Sequence, residues 1–147
     1  MTQENKELLL VDLCERLPYG VIVHFKGEYK KYHKVEEIDV RDEVIRCFEG
    51  MHLYEEGIIN CFPYLRPMSS MNDKEKRELQ SFYPGSFGGQ WFDIEKGTIE
   101  IFECSSTITL YLNDSERIVD WLNRNMFDYR RLIERGLALE APKEMYK

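Results

Sequence analysis

Pro18-Tyr19-Gly20-Val21-Ile22-Val23-His24-Phe25-Lys26 is the stretch where the periodicity of this chain changes. Upstream, over residues 5–17, Leu10, Leu13, Cys14 and Leu17 fall at helical spacing, with Leu9 widening the stripe, which predicts a helix. Pro18 disfavours helical geometry in the residue before it and stops that helix. Downstream, Val21, Val23 and Phe25 alternate with partners on the other face, which is the period of a strand. A helix followed at once by strands predicts a mixed α+β fold.

Working outward, Gly27-Glu28 reads as a turn into an extended piece over 29–35. Further strands are expected at 43–48 and 52–54, punctuated by Gly50 and Gly57. Several short strands after one helix suggest a strongly bent antiparallel sheet or a small barrel. Residues 58–71 read as a transition segment because they hold Pro63 and Pro67. Asn72 then has the character of an N-cap, with Glu75 completing a capping box. The helix it opens, over 73–83, has Leu79, Phe82 and Tyr83 as its apolar positions and is expected on the surface.

The remainder predicts a hairpin from 90–94 and 98–104, and a strand through Ile108, Leu110 and Leu112. A helix over 114–125, capped by Asn113 and Glu116, carries the stripe Ile118, Trp121, Leu122 and Met126. A short helix over 128–135, with Asp128 placed to cap it, ends at Gly136, and the tail from Leu137 forms an extended strap. With no repeat, low-complexity tract or linker, the reading is one α+β domain over 1–147. It has an N-terminal helix, a bent sheet or barrel of short strands, a surface helix and C-terminal helices.

Composition narrows the function classes. A chain of 147 residues buries about 70% of its unfolded surface and needs no staples. Twenty basic against 27 acidic residues give a net charge of −7, which argues against nucleic acid as a partner. The basic cluster Lys30, Lys31 and Lys34 is followed at once by Glu36, Glu37 and Asp39. Cys14, Cys47, Cys61 and Cys104 lack zinc-site or disulfide-framework spacing, and reduced thiols in a cytosolic protein are expected. The start, Met1 to Asn5, lacks the basic region of a signal peptide, and the longest apolar run, Leu8 to Val11, is too short to cross a bilayer.

Reactive chemistry finds no anchor. His24, His33 and His52 show no convergent spacing, so no metal and no cofactor are expected. Ser69-Ser70 and Ser105-Ser106 lack a nucleophile elbow and read as turn or cap residues. The residues placed to hold a ligand are aromatic and cationic. Gly85 to Gly89 read as a flexible connecting loop flanked by Tyr83, Phe87, Trp91 and Phe92, whose faces suit stacking on a planar ligand or anchoring the loop to the core. Arg66, next to Tyr64, Ser69 and Ser70, presents a fork for phosphate or carboxylate, or else a structural guanidinium bonding loop carbonyls or Asp128. Tyr129 and Arg130 share that ambiguity.

Three stretches carry a resemblance. They are Leu8 to Gly20, Tyr64 to Met71 (YLRPMSSM) and Asp120 to Lys147 (DWLNRNMFDYRRLIERGLALEAPKEMYK). Together they resemble a group of short proteins that recur in gut Bacteroidetes genomes and their prophages and phages. The family pattern has a glycine where this chain has Arg131. The resemblance implies no established activity, cofactor or catalytic residue. It implies a setting: accessory proteins of mobile elements, in the cytoplasm of a bacterial host, often acting by binding against host defence.

Three functional readings follow. The first is a non-enzymatic protein that sequesters a nucleotide-like immune signal stoichiometrically. The second is an acidic inhibitor that docks on a host protein through an apolar patch rimmed by Asp and Glu. The third is a small enzyme whose site assembles from scattered residues. A homo-oligomer is compatible with each, and no residue pattern specifies one.

Overall fold

Thr2 begins the chain's first helix by accepting a hydrogen bond from the Asn5 amide on its hydroxyl at 3.2 Å. In the computed structural model, which describes residues 1–29, 32–82, 90–93, 98–103, 106–111 and 116–146, that helix is α1, Gln3–Arg16. It runs into a tight turn, Leu17–Tyr19, closed by Gly20 at φ 75°, where a left-handed backbone suits glycine. The strands and helices that follow are β1 (Ile22–Phe25), β2 (His33–Lys34), β3 (Glu37–Asp39), β4 (Val44–Glu49), β5 (His52–Gly57) and β6 (Cys61–Leu65). Then come α2 (Asp73–Ser81), β7 (Gln90–Asp93), β8 (Thr98–Glu103), β9 (Ser106–Tyr111), α3 (Glu116–Arg124) and β10 (Leu139–Glu140). The fold is mixed α+β.

These elements form two compact units, Met1–Leu65 with Arg131–Lys147, and Arg66–Arg130. In the first, α1 buries Leu9, Asp12, Leu13 and Arg16. The alternation expected of β1 holds, with Val21, Val23 and Phe25 fully buried. Among the described residues the strands of this unit form two open sheets, ordered β10-β6-β1-β2 and β3-β4-β5. The barrel alternative is therefore corrected: the sheets are separate and unclosed, and β10 runs parallel to β6.

β6 lies where the sequence suggested only a transition. A proline in a central strand removes a ladder donor. Here the register hides that loss. The Lys26 amide donates to the Asn60 carbonyl at 2.9 Å, and His24 pairs with Phe62, so Pro63 opposite Val23 falls between hydrogen-bonded positions. β10 pairs with β6 only at Tyr64 and Leu65.

The second unit packs α2 and α3 around Met71, Leu79, Ile118, Leu122 and Phe127, with the rings of Trp121 and Phe127 stacked 5.6 Å apart. Asn72 Oδ1 accepts from the amides of Lys74 and Glu75, both at 3.0 Å, while Glu75 Oε2 accepts from the Asn72 amide at 2.9 Å. The capping box is reciprocal, as its sequence spacing implies. α2 shows solvent its charged side and buries Leu79. The stripe Ile118, Trp121, Leu122 is buried, and so is Met126. Strands pair antiparallel in the order β7-β8-β9.

The expected helix over 128–135 is corrected to turns. Arg131 adopts φ 59°, a left-handed conformation that interrupts any right-handed helix at that residue. Gly136, at φ 68°, takes the expected left-handed conformation, but it follows turns and ends no helix.

Candidate functional site

Arg66 opens the second unit and is held by its backbone first. Its amide donates to the Met126 carbonyl at 2.7 Å, and its carbonyl accepts from the Asp128 amide at 2.8 Å. The guanidinium then forks onto Glu75, with Nη1 to Oε1 at 2.9 Å and Nη2 to Oε2 at 3.1 Å. It also lies 4.2 Å from the centre of the Phe127 ring. Both side chains are largely shielded, 21% and 16% exposed. The bidentate geometry expected of Arg66 is present, and its carboxylate comes from inside the protein.

The other residues singled out from the sequence scatter. Tyr64 belongs to the first unit, in β6, where it is buried beside the Tyr32 ring at 5.3 Å. Burial, then Tyr32, pushes its hydroxyl's pKa up. Ser69 and Ser70 are exposed in a short turn, Met68–Ser70, as turn residues would be. Tyr129 is buried, with the Arg130 guanidinium 4.7 Å from its ring centre. Trp91 and Phe92 lie in β7, paired with Glu100 and Ile99 of β8; their side chains are not among those described. Tyr83 and Phe87, with the rest of the glycine loop, lie outside the described residues.

Two features of the first unit were not anticipated. The first is a set of shielded polar groups. Asp12 and Arg16 are fully buried and paired, Nε to Oδ2 at 2.8 Å and Nη2 to Oδ1 at 3.0 Å. Tyr146 Oη donates to the Tyr64 carbonyl at 2.9 Å and accepts from the Ile22 amide at 3.1 Å. Burial raises the Tyr146 pKa to about 12 against the lowering effects of the Ile22 amide and the charge of Arg16. Strands β1 and β6 and the tail are thus tied by one hydroxyl, while the Asp12–Arg16 pair stays within α1.

The second feature is the outer face of the β3-β4-β5 sheet. The inner face carries the fully buried Ile45 and Cys47. Phe48 falls out of that phase and points outward, directly across from Leu53, with the two 42% and 52% exposed. Met51, at the hairpin tip, is wholly exposed. Along the same face Arg46 reaches Glu37 and Glu55 at 2.6 Å each and Asp39 at 3.6 Å. One cation among three carboxylates leaves this face acidic. The signal was available in Val44 to Glu49, where an apolar residue occupies a position of outward phase.

Among the described residues no group of three or more His, Cys, Asp or Glu is placed to hold a metal. No described helix is long and apolar enough to cross a membrane. Comparison with protein-family models, curated proteins and solved structures finds no match.

Proposed function

We propose that this chain acts by stoichiometric binding and not by turnover, and that it docks on a partner protein through the outer face of β3-β4-β5. The observation that carries this reading is the exposed Phe48–Leu53 pair beside the acid-rich Arg46 network. Covering what remains exposed of these two half-covered side chains contributes about 1 kcal/mol each. The carboxylates steer a cationic partner and reject an anionic one. The partner is therefore a protein whose surface presents an apolar contact rimmed by Lys or Arg. The resemblance supplies the setting, an accessory protein of a mobile element acting on a component of its bacterial host.

Capture of a nucleotide-like signal draws less support, because the fork of Arg66 is filled by Glu75. The decisive experiment purifies the host protein retained by the wild-type chain and titrates it against wild type and a Phe48→Asp/Leu53→Asp variant. Saturation at a fixed stoichiometry, salt-weakened and lost in a variant with unchanged melting temperature, is expected. Equal binding by the variant refutes the docking face. A thermal shift with cyclic or linear nucleotides would restore the small-ligand reading.

A further inference from the structure

His33, on β2, has no exposed surface. Its ring stacks on Phe25 of β1, with centroids 5.0 Å apart, and meets Tyr54 of β5 at 4.7 Å. Nδ1 lies 3.3 Å from Glu49 Oε1, at the end of β4, and Nε2 lies 3.5 Å from Glu28 Oε2, in the β1–β2 connection. Neither ring nitrogen completes a well-formed hydrogen bond. The two carboxylates are about a third exposed, so water reaches the acids while the imidazole stays covered.

A neutral imidazole carries one N–H and one lone pair. Flanked by carboxylates at both nitrogens, it can serve only one and turns a lone pair toward the other. The imidazolium serves both. The other ionisable groups around it leave this choice to the two glutamates. Burial pushes the thiol of Cys47, on β4, up to about 12, and the thiol of Cys61, on β6, well above its usual value, so both stay neutral. Tyr54 contributes a ring face from β5, His52 sits across the hairpin from Glu49, and Lys34 follows His33 on the opposite face of β2.

We propose that His33 is a proton-operated clasp on the β4–β5 hairpin. Carrying both protons, it bridges Glu28 to Glu49 and fastens the turn end of the hairpin. When one proton leaves to solvent, one carboxylate loses its donor and the hairpin loosens. The doubly protonated ring is the form that reaches both carboxylates, so the clasp holds on the acidic side and opens as pH rises. The clasp is independent of whether the outer face docks a partner, although it would regulate Phe48 and Leu53, which the same hairpin carries.

The test is nitrogen-resolved NMR of the His33 ring, together with amide exchange of residues 48–53. Both are measured on the whole chain at about pH 6 and about pH 8.5, on either side of the range where histidines titrate. Shifts of a doubly protonated ring at the lower pH are expected. Hairpin protection, corrected for intrinsic exchange, should fall about fivefold at the higher pH while that of β1 and β6 holds. Glu49→Gln, at a partly exposed position that spares the fold if His33→Gln does not, should abolish this pH dependence. A single-proton ring at both pH values, protection that does not change with pH, or a pH dependence that survives Glu49→Gln overturns the clasp.

Discussion

The guanidinium of Arg66 and the carboxylate of Glu75 form a two-bond fork, and the same Glu75 Oε2 accepts the Asn72 amide that closes the start of α2. One carboxylate thus secures a helix cap and the chain segment entering it.

Burial alone would raise the Glu75 pKa, but the Arg66 hydrogen bond, the Asn72 amide and the nearby cations together hold it below the ordinary carboxylate value. A lowered value means stability that is present above the unfolded pKa and lost as pH falls through the folded one. Glu75→Gln should lower stability near neutral pH by about 1–2 kcal/mol. The gap to wild type should narrow in acid. Denaturation curves at pH 7 and pH 3 check this, and a gap unchanged between them would refute the linkage.

Asp12 and Arg16 make a sharper case because both are fully buried. Removing one partner of a buried pair costs about 3–5 kcal/mol, whereas replacing both by apolar residues is often neutral. Asp12→Ala should therefore be far more damaging than Asp12→Leu/Arg16→Met. Urea titrations of both variants give the ordering directly.

Tyr146 ties the tail to Ile22 and to Tyr64 through one hydroxyl. Tyr146→Phe leaves a partly buried amide and a partly buried carbonyl without that partner, at a cost of about 1–2 kcal/mol. The loss should appear as faster exchange of the Ile22 amide. An unchanged rate there would mean the hydroxyl contributes nothing.

Cys47 and Cys61 should resist alkylation in the native protein and react on unfolding, because burial raises both thiols, Cys47 to about 12. Cys14, half-buried and shifted up by burial and by Glu15, should react at an intermediate rate. A raised thiol pKa contributes stability that is complete below the unfolded value and lost as pH rises, so the first unit should weaken from about pH 8.5 upward. Mass spectrometry after timed labelling distinguishes the three sites.

The expected binding constellation was legible only in part. That Arg66 would make a planar two-bond contact follows from its chemistry, but Glu75 as its partner required α2 to fold back onto residue 66. The docking face was written in Phe48's phase, yet reading it needs the Leu53 pairing that β5 supplies. His33 between two glutamates is invisible to spacing, because Glu28 arrives from the β1–β2 connection and Glu49 from the end of β4.

What the sequence by itself determined were the features set within one turn or one pleat: α1, the alternation of β1, the Asn72–Glu75 box and the α3 stripe. These depend on neighbours three or four residues apart in a helix, or two apart in a strand, and such neighbours are fixed by chain geometry. Only the tertiary structure decided that α1 buries Asp12 and Arg16, turning its face away from Leu10 and Cys14. It also decided that Pro63 could enter a central strand and that Arg131 would take a left-handed turn. Each of those outcomes depends on a partner distant in sequence, or on a register that no local pattern carries, which is why charge and proline misdirect a reading made along the chain alone.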